Sequence, residues 1–137
     1  RLYQALPDRN VRLSALGGWA LGQAVLNFDR LSGVGPQDIV ILGYAGYYDV
    51  RHVVAPSRLR EIATWLDNIG QPIPPFRLPK AVRDGGGGVG GAVAFSYIDQ
   101  RCAVLGDYCR QPDPPPSEMT AVTAALVNHI ASRTRAE

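Results

Sequence analysis

Cysteine is almost missing from this chain of 137 residues, which carries only Cys102 and Cys109. Two cysteines are too few for a disulfide-built scaffold. A single bridge between them stays open, since Gly106-Asp107 can reverse the chain between the two sulfurs. Closing so short a loop contributes roughly 2.5 kcal/mol on the chain-entropy model. The alternative is two free thiols. The bridged form implies a secreted or periplasmic protein, and the unbridged form a cytoplasmic one.

Lysine is equally scarce, Lys80 being the only one, and the net charge is just +2. The charges are scattered, so the chain lacks the dense basic run of a nucleic-acid or membrane tether. It also lacks an apolar run of membrane-spanning length and a charged-then-apolar leader. Because it starts at Arg1, a leader or larger precursor is expected to have been removed. The only histidines are His52 and His129, and neither they nor the cysteines follow a zinc-ligand spacing. There is no serine elbow and no carboxylate cluster. No metal and no cofactor are therefore expected, and catalysis is poorly supported.

What is present is 46% hydrophobic composition, enough for one core and too little length for two. The expectation is one domain over residues 1–137, α+β or small α/β, with a few-stranded sheet against about three helices. Helical spacing runs through residues 11–31, with Leu13, Leu16, Ala20 and Ala24 inward and Asn10 as the cap. Gly18 and Gly22 would let another backbone approach this helix closely. A second helix is expected over 57–69, capped by Ser57, with Leu59, Ile62, Leu66 and Ile69 as its stripe and Gly70 at its end. A third spans 117–133, with Met119, Val122, Leu126 and Ile130 inward.

Residues 39–42, Ile-Val-Ile-Leu, read as a strand buried on both faces, continuing to Val53 and Val54. Residues 92–98 alternate, with Val93, Phe95 and Tyr97 on one side, and Asp99-Gln100 is placed to turn them into a second strand over 101–105. Two proline-rich stretches are expected to run extended: an arm and glycine loop over 71–91, and a connector over 110–116.

Three places are candidates for function. The segment holding Tyr44, Tyr47, Tyr48, Asp49 and His52 follows the apolar run, and tyrosines there suit a protein interface. A hydrolytic or small-molecule site using Tyr48, Asp49 and His52 is the alternative, and it requires a bend that brings Asp49 to His52. His129, near the stripe of the last helix, is expected to be structural. The glycine tract of residues 85–91 has neither the Gly-Lys-Ser/Thr of a phosphate loop nor the position of a dinucleotide fingerprint. The tract is expected to be a flexible surface loop or a segment that orders against a partner, with Gly86 and Gly88, and Phe76 on the arm, as candidate binding residues.

Leu31-Ser32-Gly33-Val34-Gly35-Pro36 resembles the hairpin of the helix-hairpin-helix DNA-binding family. That resemblance implies that Gly33, Val34 and Gly35 face a phosphate. It covers about a dozen positions, and the chain departs from it where 39–42 reads as strand in place of the second helix. The leading expectation is a non-catalytic interaction or structural domain, either a subunit of a larger assembly or a secreted protein-binding module. Its partner is a protein or a second copy, with nucleic acid as the lesser alternative and no membrane span.

Overall fold

Pro116 starts the longest helix, where its missing N–H costs nothing. Glu118 in the first turn and Arg133 and Arg135 in the last oppose the two ends of the helix dipole. The structure, a computed structural model, describes residues 20–31, 34, 38–43, 49–72, 77–84, 92–99 and 106–135. Among them are five helices: α1 (Leu21–Phe28), α2 (Asp49–His52), α3 (Pro56–Asn68), α4 (Asp107–Arg110) and α5 (Pro116–Arg135). Two strands, β1 (Arg77–Arg83) and β2 (Val93–Asp99), complete an α+β fold.

Val122, Leu126 and Ile130 recur every four residues on α5, so they form one stripe. That stripe is buried with Leu21 and Val25 of α1, Val53, Ala55 and Ala81 of β1. Each large aliphatic side chain buried there contributes about 1.5–3 kcal/mol before its lost entropy is counted. A smaller cluster joins Val54, Leu59 of α3 and Cys109 of α4. Gly22 sits where a Cβ would lie 3.4 Å from Phe95 Cε1 and 3.9 Å from Ala81 Cβ. Those are ordinary van der Waals distances to side chains, so the packing of α1 on the ribbon does not require the close backbone approach expected at Gly22; Gly18 falls outside the described residues.

β1 and β2 pair antiparallel, with Arg77 opposite Asp99 and Arg83 opposite Val93. Beyond the last pair, Asp84 N–H donates to Ala92 O at 2.8 Å. The 85–91 tract therefore links two paired strands, although its own residues lie outside those described. β2 thus pairs with the upstream proline-containing segment, and its expected partner over 101–105 lies outside the described residues. Pro79 stands opposite Tyr97. A two-stranded ribbon has only edge strands, the setting in which a proline is accepted.

Residues 39–42 do not form the expected strand. Leu42 packs against the main core, while Ile39 and Ile41 are 68% and 64% exposed. A strand buried on both faces needs neighbours on both sides and layers above and below, and the described ribbon has only two strands. Nor does a strand continue to Val53 and Val54. The chain makes the single turn of α2 and then bends at Val54, whose φ is +48°.

α3 opens with Pro56 after Ala55, and Ala55 has no side-chain acceptor. It closes as anticipated at Gly70 (φ +64°), with Gly70 N–H on Asp67 O at 3.0 Å and Gln71 N–H on Leu66 O at 2.9 Å. That pair of bonds satisfies two of the last carbonyls through a left-handed glycine. Leu59 and Leu66 are buried, but Ile69 stands beyond the last helical turn and is 47% exposed.

Candidate functional site

His52 ends the one-turn helix α2 and is 1% exposed. Its Nδ1 accepts the Leu21 N–H at 3.0 Å. Because Nδ1 accepts, the proton of the neutral ring sits on Nε2. The reason lies in α1, whose preceding residue, Ala20, cannot cap it. Gln23 Oε1 accepts the Ala20 N–H at 2.6 Å, and His52 takes the next amide. The histidine proposed for acid-base work thus serves as a helix cap inside the core. Asp49 lies one helical turn before it. Tyr44, Tyr47, Tyr48, Phe76, Gly33, Gly35, Gly86 and Gly88 fall outside the described residues.

His129 is structural, as expected. Its Nε2 lies 2.8 Å from Asp29 Oδ1 and 3.1 Å from Oδ2, which joins α5 to the C-terminal end of α1. Cys109 is a buried free thiol, so the bridge to Cys102 is not formed. Burial pushes its pKa up, against the opposing pull of Arg60. The bridge was suggested by spacing and a turn, whereas the fold directs this thiol into the cluster with Leu59 and Val54.

Residues 106–115 are fastened to α3 by polar contacts. Asp113 accepts the Ser57 N–H at 2.8 Å and the Ser57 hydroxyl at 2.5 Å. Ser57 was expected to cap α3 itself; the carboxylate from the proline-rich connector caps it instead. Arg60 Nη1 donates to Cys109 O. Tyr108 Oη donates to Val54 O at 2.9 Å, and Lys80 Nζ lies 4.9 Å from the centre of the Tyr108 ring.

Sequence reasoning missed a half-open cleft of about 180 Å³ bordered by α1, α2, α3 and β1. Val54, Leu59, Ile62 and Leu78 line it on the apolar side, and Gln23, Arg51 and Arg58 supply its polar groups. No local signal marks it, because its walls come from four separated stretches of chain. Among the described residues no group of three side chains has metal-ligating character, and no helix is long and apolar enough to cross a membrane.

Comparison with known protein families, with curated proteins and with solved structures finds no match to this chain.

Proposed function

We propose that this is a non-catalytic interaction domain, a subunit of an assembly built from copies of itself and joined through residues 39–41. The observation that carries the reading is the exposure of that segment. Ile39, Val40 and Ile41 are 68%, 38% and 64% exposed, while Leu42 packs on the core. Exposure that alternates with period two is the mark of extended chain. Such β-branched residues are at home in sheets, yet among the described residues these lie in none. An apolar extended segment without a ladder is suited to strand addition, in which backbone bonds supply affinity and alternate side chains supply fit.

A second copy is a fitting occupant. Each strand of the β1–β2 ribbon has, among the described residues, a strand neighbour on one side only. One molecule therefore carries both a segment seeking an edge and an edge to receive it.

Native mass and sedimentation over a concentration series, in reducing buffer, test the reading. The expected result is a mass above the monomer that rises with concentration. The double variant Ile39→Asp, Ile41→Asp should return it to the monomer with its circular dichroism unchanged, because both side chains are exposed. A wild-type chain that stays monomeric at every concentration overturns self-assembly. Association undiminished in the double variant overturns the interface.

A further inference from the structure

We infer that residues 39–41 of a second copy add as a strand to the outer edge of β2, on the backbone of Val93, Phe95 and Tyr97. This rests on the assembly reading above and names the surface that receives the segment. Asp84 N–H donates to Ala92 O at 2.8 Å, and these two residues continue the register in which Arg83 stands opposite Val93. Bonded and non-bonded pairs alternate along an antiparallel ladder. The bonded pairs are therefore Val82 with Ala94, Lys80 with Ser96 and Leu78 with Ile98. Val93, Phe95 and Tyr97 turn their N–H and C=O away from β1, and Arg77, Ala81 and Arg83 turn theirs away from β2. Pro79 stands among the latter and has no N–H to offer.

The two outer edges differ in what guards them. Natural sheets block a free edge with proline, with charge or by covering it. β1 carries Pro79 on its outward side and three basic residues, Arg77, Lys80 and Arg83, and its Leu78 and Pro79 border the cleft shared with α1, α2 and α3. β2 carries neither block. From Ala92 to Ile98 the sequence holds no proline, no glycine and no charge, and Ala94, Ser96 and Tyr97 are exposed. Among the described residues no strand lies beyond it. An uncharged, β-prone edge of this length is a template for another strand.

The chain supplies a strand that fits. Residues 39–42 are likewise free of charge, so they bring no unpaired charge to the edge. Ile39 and Ile41 stand two residues apart, the spacing at which an extended segment repeats its backbone groups on one edge. The outward residues of β2 have the same spacing. Tyr97, 49% exposed, offers an isoleucine the aromatic neighbour that β-branched residues favour across strands.

Amide hydrogen exchange of the whole chain, read residue by residue by NMR at low and at high concentration in reducing buffer, tests this. The amides of Ala94, Ser96 and Ile98 are bonded to β1 and should exchange slowly at both. Those of Val93, Phe95 and Tyr97 should exchange fast in the dilute chain. They should slow about tenfold once about nine-tenths of the chain is associated, because only the free tenth stays open. Arg77, Ala81 and Arg83 on the other edge should not change. In the Ile39→Asp, Ile41→Asp variant the slowing should vanish. Tyr97→Pro, at an exposed position, removes one outward N–H and should weaken association about tenfold with circular dichroism unchanged. A wild-type chain that is monomeric at every concentration overturns the assembly reading, and the β2 edge with it. If the chain assembles and the double variant abolishes assembly, while Val93, Phe95 and Tyr97 exchange as they do in the monomer, the β2 edge alone is overturned. Full protection of those three amides in the dilute chain overturns it as well.

Discussion

The Tyr108 hydroxyl donates to the carbonyl of Val54 at 2.9 Å, and Val54 is the one described non-glycine residue with a positive φ, +48°. A β-branched residue in the left-handed region is strained by about 1–3 kcal/mol. It persists here because its side chain is buried with Leu59 and Cys109 and its carbonyl is held from α4. The bend it makes sets the entry of α3 and carries one wall of the cleft.

Tyr108→Phe removes the hydroxyl and keeps the ring beneath Lys80. We expect a loss of about 1 kcal/mol in urea unfolding with an unchanged slope. Stability equal to wild type would mean that the bond does not hold the turn.

Asp113 gives α3 a pH-dependent cap. Burial raises its pKa, but the two Ser57 bonds and the charge of Arg60 outweigh that, and the net shift is downward. A carboxyl depressed in the folded state contributes stability that is complete above the ordinary carboxylate range and is lost as pH falls through its folded value. Asp113→Ala should therefore cost about 1 kcal/mol near neutrality. Below about pH 4 its stability curve should approach that of wild type. Parallel curves across the acid limb would refute the assignment.

His52 supplies the acceptor for Leu21 and fills space in the core, and substitutions separate the two. His52→Asn can offer a carbonyl oxygen near the position of Nδ1, whereas His52→Leu fills space and leaves the Leu21 N–H buried without an acceptor. The orphaned amide costs about 1–3 kcal/mol. Hydrogen exchange at Leu21 should stay slow in the Asn variant and quicken in the Leu variant. Equal exchange in both would show that packing alone fixes α1.

Cys109 should resist alkylation in the folded chain and react once denaturant is added, because burial disfavours the thiolate. Its raised pKa means that the folded state holds the proton longer, so its contribution to stability is full below the ordinary thiol range and is lost as pH rises from there through the higher folded value. Peptide mass mapping after native and denatured labelling reads this directly. Rapid native labelling would place the thiol at the surface.

The extent of the two long helices was legible in the sequence, as were the inward stripe of α5 and the Leu59 and Leu66 part of that of α3, but not the exposure of Ile69 or the partner of Ser57. Pro56, Gly70 and Pro116 act on their own dihedral angles and amides, and the four-residue recurrence of Val122, Leu126 and Ile130 needs no knowledge of what lies opposite. The alternation that predicts β2 is local in the same way. Which strand pairs with β2, whether Ile39 and Ile41 are buried or exposed and whether Cys109 is bridged are not local properties. They depend on what the closed loops bring alongside. The same holds for the roles of single side chains. His52 reads as a candidate base from its neighbours alone, and only the fold brings it to the amide of Leu21, 31 positions away; Asp113 likewise meets Ser57, 56 positions away, only in the folded chain. The cleft is the extreme case, because four separate elements must assemble before Arg51 and Arg58 share one space. Short-range dihedral and periodicity constraints settle the two long helices and β2, whereas burial and long-range hydrogen bonds, which exist only after the chain has closed on itself, decide the fate of residues 39–42 and the partners of His52 and Asp113.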